Sequence, residues 1–222
     1  MRIVVVSDTH TLHGSLDLPD GDVLVHCGDI CGGQIWFQAA QLTSFNDWLG
    51  SLPFKHKIVI AGNHDHLLGK PAHAAAARAM LTNCTYLQDS EIALGGVRFY
   101  GSPWTPDFFP DLWVFNQPRT GRRARDRWAQ IPDNTEVLIT HGPPRGILDE
   151  CPDIRNDAAL IHVGCEDLRR RIRQLKKLRF HFFGHIHEGS GQVDEAGVRF
   201  VNAASLDGKY SVRDPGYTII DL

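Results

Sequence analysis

Five short apolar runs in this 222-residue chain end in the same kind of chemistry. They lead into Ser7-Asp8-Thr9-His10, Gly28-Asp29, Gly62-Asn63-His64-Asp65, Thr140-His141-Gly142-Pro143 and Gly184-His185-Ile186-His187. A lone Asp-x-His or His-x-His is a weak signal, because surface histidines are common. Five together, two carboxylates, four imidazoles and an amide brought into one crevice, carry the composition of a transition-metal site. Without cations, such a cluster sets imidazoles and like charges against one another, which is expensive. A mixed nitrogen and oxygen set without thiolate favours Mn, Fe, Zn or Co over an all-oxygen Mg or Ca site. Manganese is the favoured occupant.

The elements that must position these groups are the apolar runs themselves. Ile3 to Val6, Val23 to Val25, Lys57 to Ile60, Glu136 to Ile139 and Phe180 to Phe183 have strand length and are rich in β-branched or aromatic residues. Their near-continuous apolarity predicts strands buried on both faces. In open α/β sheets, the edge just past the strand C-termini is where ligands bind. The spacing also predicts a hairpin, Glu91 to Leu94 and Val97 to Tyr100 about Gly95-Gly96. An antiparallel meander is expected at Gly191 to Asp194, Val198 to Val201 and Tyr217 to Ile220. Helices are expected at about Ile35 to Leu49, Ala72 to Met80, Arg122 to Gln130 and Glu166 to Lys177. The last is arginine-rich, and it reads as a solvated face rather than a nucleic-acid contact. No repeat, low-complexity tract or linker interrupts the pattern, so residues 1–222 read as one α/β domain.

Composition narrows the function classes. Hydrophobic residues make up 42% and the formal charge is -3, which argues against a general polyanion-binding surface. No run approaches the length of a membrane span. The N-terminal apolar run is too short for the h-region of a signal peptide, so a cytoplasmic protein is expected. Cys27, Cys31, Cys84, Cys151 and Cys165 read as reduced thiols in or near the core. Cys27 and Cys31 lack the second pair that a zinc site needs.

The ordered set from Asp8 to His187 resembles the full calcineurin-like metallophosphoesterase signature. Four further stretches are similar to the small metallophosphoesterase-domain-containing subgroup: 45–53 (FNDWLGSLP), 101–106 (GSPWTP), 141–144 (HGPP) and 184–189 (GHIHEG). The resemblance implies a two-sheet β-sandwich flanked by helices, an α/β/β/α fold. It also implies two divalent cations, one held by Asp8, His10, Asp29 and His187. The other would be held by Asp29, Asn63, His141 and His185, with Asp29 bridging. Thr140 departs from the glycine that many relatives carry before this histidine, a change expected to alter packing rather than ligation. With a bridging hydroxide, this centre carries a net charge of about +1, which a phosphodiester monoanion neutralises. Phosphate oxygens would bridge the cations while the hydroxide attacks phosphorus in line.

His64 is the expected general acid, since it follows a ligand without needing to be one, and Asp65 is the expected orienting carboxylate. Arg145, His66 and Trp104 are candidate substrate contacts. Trp104 belongs to an aromatic loop with Phe108, Phe109, Trp113 and Phe115; its rings offer stacking for a base, but packing over the sheets is the stronger reading. His26 and His181 read as core or supporting residues, and His13, His56, His73 and His162 as exposed. The expected activity is phosphodiester hydrolysis on a small nucleotide, cyclic nucleotides included. Phosphomonoesterase and nucleotide pyrophosphatase are the rivals, and a catalytically weak protein-binding scaffold is the alternative from another class. Neither a membrane nor a stable nucleic-acid partner is expected.

Overall fold

The computed structural model describes residues 1–33, 35–108, 112–153 and 156–222; Phe109 of the aromatic loop lies outside them. The first stretch of chain forms β1 (Arg2–Val6), β2 (Val23–His26), α1 (Gln38–Ser51), β3 (His56–Val59), α2 (His66–Gly69), α3 (Pro71–Ala79) and β4 (Thr85–Tyr86). Next come β5 (Ser90–Leu94), β6 (Val97–Ser102), β7 (Thr105–Pro106), β8 (Asn116–Gln117), α4 (Arg122–Trp128) and β9 (Val137–Thr140). The chain closes with β10 (Glu150–Asp153), β11 (Asn156–His162), α5 (Glu166–Ile172), β12 (Phe180–Phe183), β13 (Gly191–Glu195), β14 (Val198–Asn202) and β15 (Thr218–Asp221).

Two main sheets carry the fold, in the orders β15-β1-β2-β3-β4 and β13-β14-β12-β9-β6-β5. Side chains alternate across a strand, and here both faces find apolar partners. Ile3, Val5, Val23, Val25, Ile58 and Ile60 of the first sheet pack against Phe99, Val137, Ile139, Phe182 and Val201 of the second. The outward Val4, Val6, Leu24 and Val59 meet Leu42, Phe45 and Leu49 of α1. Across the molecule, Leu138, Phe183 and Phe200 meet Ala124 and Trp128 of α4 and Leu168 and Ile172 of α5. The result is the four-layer α/β/β/α sandwich, in which strands buried on both faces need the continuous apolar runs seen in the sequence.

The chain departs from its sequence pattern in three places. β13 and β14 pair antiparallel, but β15 leaves them and pairs antiparallel with β1, so the expected meander is split between the sheets. The arginine-rich helix stops at Ile172, and Gln174 and Leu175 turn back on Arg171 and Ile172 through tight i to i-3 bonds. That places Leu175 and Leu178 in the core at the end of a shorter helix. The β10–β11 hairpin had no counterpart among the predicted elements. Among the described residues no helix is long and apolar enough to cross a membrane.

Candidate metal centre and substrate cavity

Strands within each sheet that carry the motifs run parallel, so their C-terminal ends share one edge. There the two sheets are tied together. The His185 N–H donates to both Asp8 oxygens, at 3.1 and 2.9 Å, and Ser7 bridges Ala204. Asp8, His10, Asp29 and His185 all sit at positive φ, 53°, 40°, 56° and 69°. L-residues adopt that region only where the surroundings impose it, and such strain clusters at functional sites. Two glycines allow the close approach: a Cβ on Gly62 would overlap the Asp29 carboxylate, and one on Gly184 the Asp8 carboxylate.

The structure brings all seven candidate ligands to this edge. Asp29 Oδ2 stands at the centre, 3.3 Å from His141 Nε2, 3.8 Å from His10 Nε2 and 3.9 Å from His64 Nε2. Its Oδ1 accepts the His64 backbone N–H at 2.8 Å. His187 Nε2 lies 3.5 Å from Asp8 Oδ1, and Asn63 Oδ1 lies 3.0 Å from His141 Nε2. Three trios, Asp8/His10/His187, His10/Asp29/His64 and Asp29/His141/His185, each hold their ligand atoms within 4.8 Å of one another.

These groups fit divalent cations on their hydrogen bonding alone. Nδ1 of His10, His141 and His187 faces a backbone carbonyl (Cys31, Cys27 and Asp207, at 3.2, 2.8 and 3.0 Å), which leaves each Nε2 aimed inward. His10 Nε2 is buried without a hydrogen-bond partner. The thiols of Cys27 and Cys31 take no part, since burial pushes both towards the neutral form. The charge pattern agrees. Burial alone would raise Asp8 and Asp29, but His187 and His141 respectively outweigh it and hold both carboxyls well below the usual range. Burial alone would lower His141 and His187, yet Asp29 and Asp8 push both up to about 9. His185 is held down at about 3 by burial and then by the charge of His141.

Two buried histidines support this edge from behind, one in each sheet. His26 of β2 accepts the Gly28 N–H on Nδ1 at 3.2 Å, so its Nε2–H donates to Thr9 Oγ1 at 3.0 Å. Thr140 spends its hydroxyl proton on Gly142 O at 2.7 Å, so His181 of β12 must donate its Nε2–H to Thr140 Oγ1 at 2.8 Å. Thr9 lies between Asp8 and His10, and Thr140 precedes His141. Burial depresses both His26 and His181 to about 3, so they are neutral donors. His13, expected to be exposed, is buried at 4% exposure, packed on Phe45 and Trp48 with Nε2 3.3 Å from Ser44 Oγ.

The match of residues 1–189 to the calcineurin-like phosphoesterase family model decides the family. This chain belongs to the calcineurin-like phosphoesterases. The family uses divalent metals, and the His and Asp trios are where this member can bind them. The human metallophosphoesterase domain-containing protein 1 is 39% identical, over all of this chain and 71% of its own length. A Caenorhabditis elegans protein of the UPF0046 group is 38% identical, over 97% of this chain and 79% of its own. A putative 5'-nucleotidase from Staphylococcus aureus shares the fold at a TM-score of 0.56 and 14% identity, over 91% of this chain and 48% of its own.

A cavity of about 690 Å³ opens above the cluster, with His10, Asp29, Asn63, His64, His185 and His187 along its floor. The candidate substrate contacts are placed unequally around it. His64 lies on the floor, its ring 4.1 Å from that of Trp113 and its Nδ1 buried without a hydrogen-bond partner. Asp65 does not face that ring. Its oxygens accept the Gly62, Ile30 and Cys31 N–H groups at 2.7, 3.3 and 2.9 Å, clamping the loop after β3 to the loop after β2. Burial, with Asp29 adding, raises its carboxyl to about 7. Trp104 points away into a packing network, donating Nε1–H to Asp89 at 3.0 Å beneath the Arg127 guanidinium at 3.6 Å. Arg145 donates to His162 O at 3.0 Å and lies 3.8 Å from Glu166. Neither residue lines the cavity, nor does His66, which packs 5.7 Å from Trp113.

Several residues lining the cavity were not singled out from sequence, among them Arg119 and Tyr210. From sequence, Trp113 reads chiefly as packing, with base stacking the lesser reading. Arg119 follows Pro118 in an undistinguished turn. Tyr210 sits at φ 62° in the turn after Asp207, its ring 5.0 Å from His10 and 5.1 Å from His187. The Asp207 carboxylate, accepting the Lys209 and Ser211 N–H groups at 2.8 and 2.9 Å, was the one local signal for that turn.

Proposed function

We propose that this chain is a dinuclear-metal phosphodiesterase that hydrolyses a small nucleotide, cyclic nucleotides included. The observation that supports the reading best is the Asp29 carboxylate, placed where two groups of ligand atoms meet and ringed by three imidazole nitrogens. Asp8, His10, Asp29 and His187 would hold one cation, and Asp29, Asn63, His141 and His185 the other. Bound there, the pair supplies Lewis-acid charge for the phosphoryl oxygens and lowers the pKa of the attacking water.

The chain's own residues do the rest. Nδ1-to-carbonyl bonds fix which ring nitrogen faces the reacting centre, and the positive-φ turns hold the carboxylates rigidly. His64 is the general acid that hands a proton to the leaving oxygen. Its backbone is pinned to Asp29 Oδ1 and its ring backed by Trp113, so its position is set before substrate arrives. Asp65 serves this step through the loop that carries His64.

Metal analysis paired with a panel of aryl and nucleotide esters tests the reading. Two metal ions per chain and strong diester turnover with Mn, against little monoester turnover, are expected. The reverse ratio makes the protein a phosphomonoesterase, and full metal loading without turnover on any ester returns it to the scaffold class.

A further inference from the structure

The cavity is much larger than the metal cluster needs. Its volume of about 690 Å³ lies in the range that accommodates whole small-molecule ligands. Away from the floor, the lining includes the carboxylates of Asp107, Asp153 and Glu188, and it presents two apolar faces. One is aromatic: Phe108 and Trp113 lie nearly parallel, 6.2 Å apart at 23°, and Phe108 approaches His185 at 5.3 Å. The other is aliphatic, made by Pro152, Ile161 and Val163 around the β10–β11 hairpin.

Arg119 lies in the same lining. Its backbone is anchored, the carbonyl accepting from Glu166 N at 3.0 Å and from Cys165 Sγ at 3.2 Å. Its guanidinium has no hydrogen-bond or ion-pair partner among the described residues. A cation with a fixed base and a free head, in the same cavity as these apolar faces, is arranged for a ligand with acceptors at its edge.

We infer that this cavity holds a subsite for a flat heteroaromatic ring carried by the substrate, stacked on Phe108 and Trp113 and met at its edge by Arg119. The inference rests on the phosphodiesterase reading, which puts the substrate's phosphate on the floor beside His64. A nucleobase has the required chemistry: a π-face for the aromatic wall, ring nitrogens and carbonyl oxygens for the guanidinium, and a ribose to span the distance to the phosphate. Stacking of this kind tolerates any base. Selectivity between bases then falls to Arg119, which contacts only the ring edge.

Calorimetry on the metal-loaded full chain tests this with three probes: inorganic phosphate, ribose 5-phosphate and a nucleoside 5'-monophosphate. The nucleotide should bind about ten- to hundredfold tighter than ribose 5-phosphate, the scale of one stacked base. That ratio should fall at least about fivefold in Phe108→Ala and again in Arg119→Met. Using a ratio cancels any shift in the metal floor that the substitutions cause. Firm phosphate binding with a nucleotide-to-ribose-phosphate ratio near one overturns the subsite alone. Failure of the metal-loaded protein to bind any of the three overturns the reading of the floor, and the subsite with it.

Discussion

Four fully or largely buried histidines of this protein, two in the cluster and two behind it, meet opposite fates. His141 and His187 face Asp29 and Asp8 and are driven towards the cation, up to about 9. His26 and His181 face the hydroxyls of Thr9 and Thr140 and stay neutral, at about 3. Desolvation acts in the same direction on all four, so the partner decides the outcome. In these four, a carboxylate partner raises the imidazole towards its cation, whereas a hydroxyl partner leaves a neutral donor that fixes a residue beside a candidate ligand. The two supporting pairs are built alike although they lie in different sheets, and each acts on a residue directly beside a candidate ligand.

The largest expected effect comes from removing the carboxylate that separates the two classes. Asp29→Ala should abolish stoichiometric metal binding and lower turnover by at least about 10³-fold, on the scale of a group acting directly on transition-state charge. Retention of two metal ions by that variant, read by elemental analysis, would remove Asp29 from the centre of the site. Next, His64→Ala should keep its metals and lose about 10²–10⁴ in turnover on substrates with poor leaving groups. Unchanged turnover there assigns the proton to another donor.

The supporting pairs should matter less and in a different way. His26→Phe and His181→Phe remove the donor and should weaken metal affinity about 10–100-fold, whereas His26→Gln and His181→Gln, which keep an N–H, should recover most of it. If Gln and Phe behave alike, these residues only fill volume.

The smallest effect expected is a shift of several degrees in Tm with pH. In the chelated protein, the raised pKa of His141 and His187 gives stability that is complete below about 6.5 and lost as pH rises through about 9. His26 and His181 have the opposite sign. Their depressed pKa gives stability that is present above about 6.5 and lost as pH falls towards about 3. Melting curves should therefore show an alkaline loss that disappears on adding metal, because the cations replace the protons. An alkaline loss of equal size with and without metal would mean that these imidazoles do not meet the cations.

Much of this arrangement was legible from residue types. The five runs that end in Asp, His or Asn became β1, β2, β3, β9 and β12, because a strand buried on both faces needs an unbroken apolar stretch and stops where polar groups begin. Asp65 was harder to read: an acid beside a catalytic candidate looks like its partner, but three backbone N–H groups reach it first. Trp104 and Trp113 belong to the same aromatic loop, yet Trp113 lies against the His64 ring and Trp104 beneath Arg127.

Sequence alone therefore determined the polar residues that end each run, the strands that carry them and the edge at which they are delivered, since hydrophobic period and residue chemistry are local properties. Only the folded chain decided what each polar group meets. It sent β15 back to β1, turned Tyr210 over His10 and His187, and brought Arg119 into the lining of the cavity above the cluster. Those outcomes depend on contacts between residues far apart in the chain, and there the charge state of a histidine or the partner of a carboxylate is set by whichever neighbour excludes the water.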